Sequence, residues 1–71
     1  MTRYLVIFEK TLTGYSAYLP DLPGCVSTGN TKDICEANIA EALELHLEGM
    51  RAEGLPIPSP ISESEVLVLR A

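Results

Sequence analysis

The sequence predicts one small α+β domain of order β-β-β-α-β, an antiparallel sheet with a single helix packed on one face. Three observations carry this expectation. Short aromatic and β-branched runs separated by turn residues occupy the first thirty positions. A capped stretch of helix formers follows, and a continuous apolar run at residues 66–69 comes last. With 71 residues there is room for a single domain over 1–71, and no C-terminal DNA-binding domain is expected.

Residues 3–11 form the first expected strand, because Tyr4-Leu5-Val6-Ile7-Phe8 is an aromatic and β-branched run too short for a helix. Thr11-Leu12-Thr13-Gly14 is a turn, and Tyr15-Ser16-Ala17-Tyr18-Leu19 is its antiparallel hairpin partner. In the loop that follows, Pro23 presets φ for the second position of a turn and Gly24 supplies the positive φ of the third. Cys25-Val26-Ser27-Thr28 suits a short third strand that ends at Gly29-Asn30. Thr31 is placed to cap a helix running to about Ala52, with Asp33 in its first turn and Gly54 and Pro56 stopping it.

At 100° per residue, Cys35, Ile39, Ala42, Leu43, His46 and Met50 fall within an arc of about 80°, a stripe that faces a sheet. Glu41, Glu44 and Glu48 lie opposite with Arg51, and Glu36 and Leu47 lie at the margins. The alternating Pro56, Pro58 and Pro60 force an extended connector that reaches back across the domain. Residues 66–69, Val-Leu-Val-Leu, then read as a buried strand. The first and last strands are apolar at odd and even positions alike, yet one helix shields only one face of a sheet. A second subunit is the expected cover, most simply in a two-fold homodimer.

Ten acids against five bases give a net charge of -5, the wrong sign for a phosphate backbone, so no direct nucleic-acid binding is expected. No apolar run approaches a membrane span, and the first residues do not read as a basic segment followed by an apolar stretch and cleavage site, so a cytoplasmic location is expected. Cys25 and Cys35 are read as free thiols rather than a bridge. His46 is the only histidine, and its neighbours one helical turn away, Ala42, Leu43, Gly49 and Met50, can neither ligate a metal nor orient a base. It is read as an amphipathic ring packed on the sheet with one nitrogen hydrogen-bonded. No GxSxG, GxGxxG or GxxxxGK[ST] motif occurs, so no catalytic, cofactor-binding or metal-binding residue is assigned. Asp21 is expected to satisfy backbone N–H groups of its own loop as an Asx turn. Six acids between Asp33 and Glu53 against Lys32 and Arg51 point to a surface complementary to a basic protein.

Gly14-Tyr15-Ser16-Ala17-Tyr18-Leu19-Pro20-Asp21-Leu22-Pro23-Gly24-Cys25, then Gly29-Asn30-Thr31, Asn38-Ile39-Ala40-Glu41-Ala42-Leu43 and Gly54-Leu55-Pro56-Ile57-Pro58-Ser59-Pro60, resemble the HicB-like antitoxin family. The resemblance implies a partial ribonuclease-H-like fold: a three-stranded antiparallel sheet, a helix and a fourth strand. It also implies an antitoxin of a type II toxin-antitoxin system that neutralises a HicA-type toxin, a small basic mRNA-cleaving ribonuclease, by occluding its active site. Many members add a C-terminal operator-binding domain that is not expected here, and Ile34 stands where relatives often carry an acid three residues after the cap. On this reading Asp21, Glu36, Glu41, Glu44 and Glu48 steer the toxin while an apolar patch holds it. Two rival readings stay open: a reduced metal-dependent nuclease built on Asp21, Glu9 or Glu65, and an orphan homodimeric scaffold or ligand-binding domain.

Overall fold

The computed structural model describes residues 2–70. Three short strands, β1 (Ile7–Lys10), β2 (Tyr15–Tyr18) and β3 (Val26–Gly29), precede one helix, α1 (Lys32–Ala52). The strands form an antiparallel sheet in the order β1-β2-β3, with Phe8 opposite Ala17 and Ala17 opposite Ser27. Alternation along each strand then puts Phe8, Ala17 and Ser27 in one row on the helix side and Ile7, Tyr18 and Val26 in a row on the other. The α+β class and the order of three strands followed by a helix agree with the sequence reading.

The hairpin closes where the Thr11 N–H donates to the Gly14 carbonyl at 2.8 Å. β1 is shorter than the run expected over residues 3–11, and the cause lies in its partner. β2 stops at Tyr18, and Pro20 has no N–H to continue the ladder, so the residues before Ile7 have nothing to pair with. The loop after β2 folds on itself instead: Leu22 N–H donates to Leu19 C=O, Cys25 N–H to Leu22 C=O, and Leu19 N–H to Cys25 C=O. Gly24 adopts φ 88°, the left-handed conformation its turn position requires. This winding turns Leu22 inward, where it is one of the two largest fully buried side chains.

Thr31 caps α1 as expected, its hydroxyl accepting from the Ile34 N–H at 3.1 Å. At the other end Gly54 takes φ 70°, the Leu55 N–H reaches the Met50 carbonyl and the Gly54 N–H reaches the Arg51 carbonyl. That pair of bonds is a Schellman motif, which satisfies carbonyls the helix leaves open. The core lies between sheet and helix: Ala17, Leu19, Leu22, Cys25, Cys35 and Ile39 are buried, ringed by half-buried residues including Tyr4, Val6, Phe8, Leu43, Leu47 and Met50. The helical stripe read from the sequence thus faces inward. His46 is half-buried, but its ring lies by the Gly24 turn, 3.8 Å from where a Cβ of residue 24 would be, and neither ring nitrogen is hydrogen-bonded among the described residues. That corrects the expected hydrogen-bonded ring on the sheet, since it is the Gly24 turn that lies against the ring.

Residues 55–70 carry no helix or strand. The proline connector does return across the domain, tied where the Tyr4 hydroxyl donates to the Pro58 carbonyl and where Asp21 accepts from Ile61 and Ser62. Residues 66–69 depart from the expected buried strand: they join no sheet and stand exposed. A strand needs an edge to bond with, and within a single chain these residues meet none. Cys25 and Cys35 are buried free thiols.

Candidate protein-binding surface

The helix that fills the core also presents the charge. Its inward stripe is fixed by Cys35 and Ile39, so the 3.6-residue period turns Glu36, Glu41, Glu44 and Glu48 to solvent, and all four are exposed. α1 carries five acids against Lys32 and Arg51. Lys32 does not neutralise that face, because its ammonium lies over the Phe8 ring, 5.2 Å from the centroid, on the sheet side. The outer surface of α1 is therefore a band of negative potential on a rigid element.

Asp21 does not belong to that band. It sits half-buried in the loop after β2, where Oδ2 accepts from the backbone N–H groups of Ile61 and Ser62 at 3.1 and 2.9 Å and Oδ1 accepts from the Ser62 hydroxyl at 2.7 Å. The Ser62 hydroxyl first, then the Ser62 and Ile61 N–H groups, hold its carboxyl below the usual carboxylate range, because each bond favours the ionised form. The expected Asx turn within its own loop is replaced by a clamp on a segment forty residues away. Of the five residues read as partner-binding, four share one helix face and Asp21 lies apart as a fastening.

The face of the sheet turned away from α1 is the second feature, and charge counting did not find it. A shallow depression there is lined by Ser16, Ala17, Tyr18, Val26, Ser27 and Thr28, with the Tyr18 ring and Val26 exposed at its rim. Leu5 and Ile7 on the same side are only half-buried. The signal was present in the sequence as the apolarity of both faces of β1 and pointed to a cover. Burial pushes the Cys25 thiol pKa up, so this cysteine stays in its unreactive form.

The acids of the nuclease reading do not converge. Glu9 pairs with Ser16 within the sheet, Asp21 lies in the loop past the far end of β2, and Glu65 stands in the exposed tail. Among the described residues no three His, Cys, Asp or Glu side chains gather where a metal ion could be held. The described residues also include no helix long and apolar enough to cross a membrane.

Comparison with known proteins bears on this arrangement. The chain is 46% identical over 57 residues to a UPF0150 protein of Synechocystis sp., covering 79% of this chain and 72% of that one. It is 36% identical over 62 residues to a UPF0150 protein of Thermoplasma acidophilum, covering 86% of this chain and 90% of the relative. An uncharacterised 14.9 kDa protein of Haemophilus phage HP1 is 40% identical over 62 residues, and there the match spans only 47% of the longer phage protein. Among solved structures, a chain of the HicA3 and HicB3 toxin-antitoxin complex superposes with a TM-score of 0.73 at 38% identity, covering 84% of this chain and 70% of that one. The antitoxin HicB3 crystal structure gives 0.70 at 38% identity, with 44% of its longer chain covered. Residues 4–68 match the family model described as a HicB-like antitoxin of bacterial toxin-antitoxin systems, and since that is nearly the whole chain, this protein belongs to the HicB-like antitoxin family.

Proposed function

We propose that this protein neutralises a small basic HicA-type ribonuclease, one that cleaves mRNA, by lying directly across its reactive surface in the cytoplasm. The observation that carries the proposal is the likeness to a chain of the HicA3 and HicB3 toxin-antitoxin complex. The physical argument agrees with it. An exposed band of Glu36, Glu41, Glu44 and Glu48 on a chain of net charge -5 attracts a basic partner, raising the encounter rate and selecting orientation. Affinity comes from apolar contact, for which the exposed Tyr18 and Val26 supply area. Occlusion asks nothing of the inhibitor but shape and charge, which suits a domain whose acids are dispersed.

The test is an RNA-cleavage assay with a small basic ribonuclease of the HicA type, taken from beside this gene where one is encoded there. Equimolar antitoxin should abolish cleavage, and co-expression should rescue growth. Full cleavage in the presence of excess antitoxin would end the proposal. The purified chain with RNA and magnesium or manganese should itself cut nothing; cleavage that disappears in Asp21→Ala would instead establish the nuclease reading.

A further inference from the structure

Residues 66–69 form an uninterrupted apolar run, and they are 88%, 78%, 91% and 86% exposed. β-branched and leucine residues in such a run have the character of a strand, and its unpaired N–H and C=O groups are a template for another strand. The sheet has two flanks, and they are not equivalent. On the β3 flank, Asn38 of α1 donates from Nδ2 to the Thr28 carbonyl at 2.8 Å, and Gly29 abuts the helix backbone so closely that a Cβ there would sit 2.5 Å from the Cys35 nitrogen. On that flank α1 takes a strand acceptor and crowds the edge. On the other flank β1 pairs with β2 alone, leaving its outer edge open, and its four residues equal the tail in length.

The chain ahead of the tail is fastened to its own domain at Pro58, Ile61 and Ser62, so residues 63–70 are free only beyond that point. They lead away from the body, and the molecule measures 49 Å in its longest direction against 27 and 19 Å in the others. We propose that residues 66–69 of one copy add to the open β1 edge of a second copy, reciprocally, making a strand-exchanged homodimer. Donor and acceptor lie on the same chain, so a two-fold axis satisfies both at once and closes the assembly. Charge sets the direction. With the tail parallel to β1 and Val66 beside Ile7, Arg70 falls beside Thr11, diagonal to Glu9 on the same face; the antiparallel arrangement sets Arg70 beside Val6, with no acid as a neighbour. Four aliphatic side chains per copy leave water, while the acidic face of α1 stays free. This dimer is independent of the toxin-binding proposal.

Light scattering on the full-length protein tests it first: at micromolar concentration the mass should be twice that of one chain, and deletion of residues 66–71 should halve it. Far-UV circular dichroism should show the deleted form still folded, since the tail lies outside the core. Aligning 66–69 on β1 sets Val68 beside Glu9, and adjacent strands lie within disulfide reach of one another at about 4.8 Å. Mixed Glu9→Cys and Val68→Cys chains should then join as an oxidised pair, with the native cysteines buried and out of reach. This cross-link decides the matter even if the deletion unfolds the domain. A monomeric wild type, a dimer that survives the deletion, or no cross-link overturns the proposal. So does an internal disulfide at monomer mass in the Glu9→Cys/Val68→Cys double variant, which would place the tail on its own β1.

Discussion

Adding one methyl group at Gly29 and one at Gly49 should move stability in opposite directions. At Gly29 a Cβ would lie 2.5 Å from the Cys35 nitrogen, 2.8 Å from its Cα and 3.0 Å from the Ile34 carbonyl carbon. All three are backbone atoms, so no side-chain rotation relieves the overlap. Reaching an ordinary contact of 3.4 Å requires β3 and the first turn of α1 to separate by roughly 0.9 Å along that line. Overpacking of this kind costs about 1–3 kcal/mol. At Gly49, on the exposed side of α1, nothing lies within 4 Å. There alanine gains about 0.5–1 kcal/mol through helix propensity and a less flexible unfolded chain. A chain of this length is stable by about 4–11 kcal/mol, so both shifts are measurable. In urea, with a slope of roughly 1 kcal/mol per molar, the Gly29→Ala midpoint should fall by about 1–3 M and the Gly49→Ala midpoint rise by about 0.5–1 M. Protein concentration must be held fixed across the series. A Gly29→Ala midpoint at or above wild type would refute the tight junction between α1 and the sheet.

Thr31→Ala removes the hydroxyl that accepts from Ile34 and should cost about 1 kcal/mol, read as a lower melting temperature, with Thr31→Asp recovering most of it. Asp21 has a lowered pKa in the folded state, so the stability it contributes is present above its unfolded pKa and is lost as pH falls through the folded one. Amide exchange at Ile61 and Ser62, corrected for intrinsic rates, should therefore accelerate below about pH 4, and Asp21→Asn should show the fast exchange at neutral pH. Glu41→Lys with Glu48→Lys should slow association with the proposed toxin partner by about tenfold at low salt and flatten its ionic-strength dependence, as stopped-flow mixing would record. Association rates unchanged by that reversal would remove the steering role of the helix.

Local chemistry wrote most of this fold into the sequence. Thr31, Gly54 and Pro56 mark the helix ends because capping and chain breaking depend on neighbours a few residues apart, and the structure ends α1 where they stand. Cys35 and Ile39 could be placed inside for the same reason, since helical period alone groups them. Contacts between distant residues were not legible. The partners of Asp21 are forty and forty-one positions away, and no periodic pattern encodes such a pairing. Residues 66–69 show the same limit from the other side: their apolarity states that something should cover them, while the identity of the cover depends on a surface the local pattern does not contain. The acidic helix face was readable from spacing. The depression beside Tyr18 and Val26 needed the strand register before its residues came together.

The amide of Asn38 has a consequence for life at high copy number. A small sheet with two bare margins can grow sideways without limit, and one that adds subunits at both margins makes filaments. By taking the Thr28 carbonyl, a single side chain removes an acceptor from the β3 margin and makes it the poorer place for backbone to recruit backbone. A molecule with one margin crowded in this way can accumulate with less tendency to build fibres.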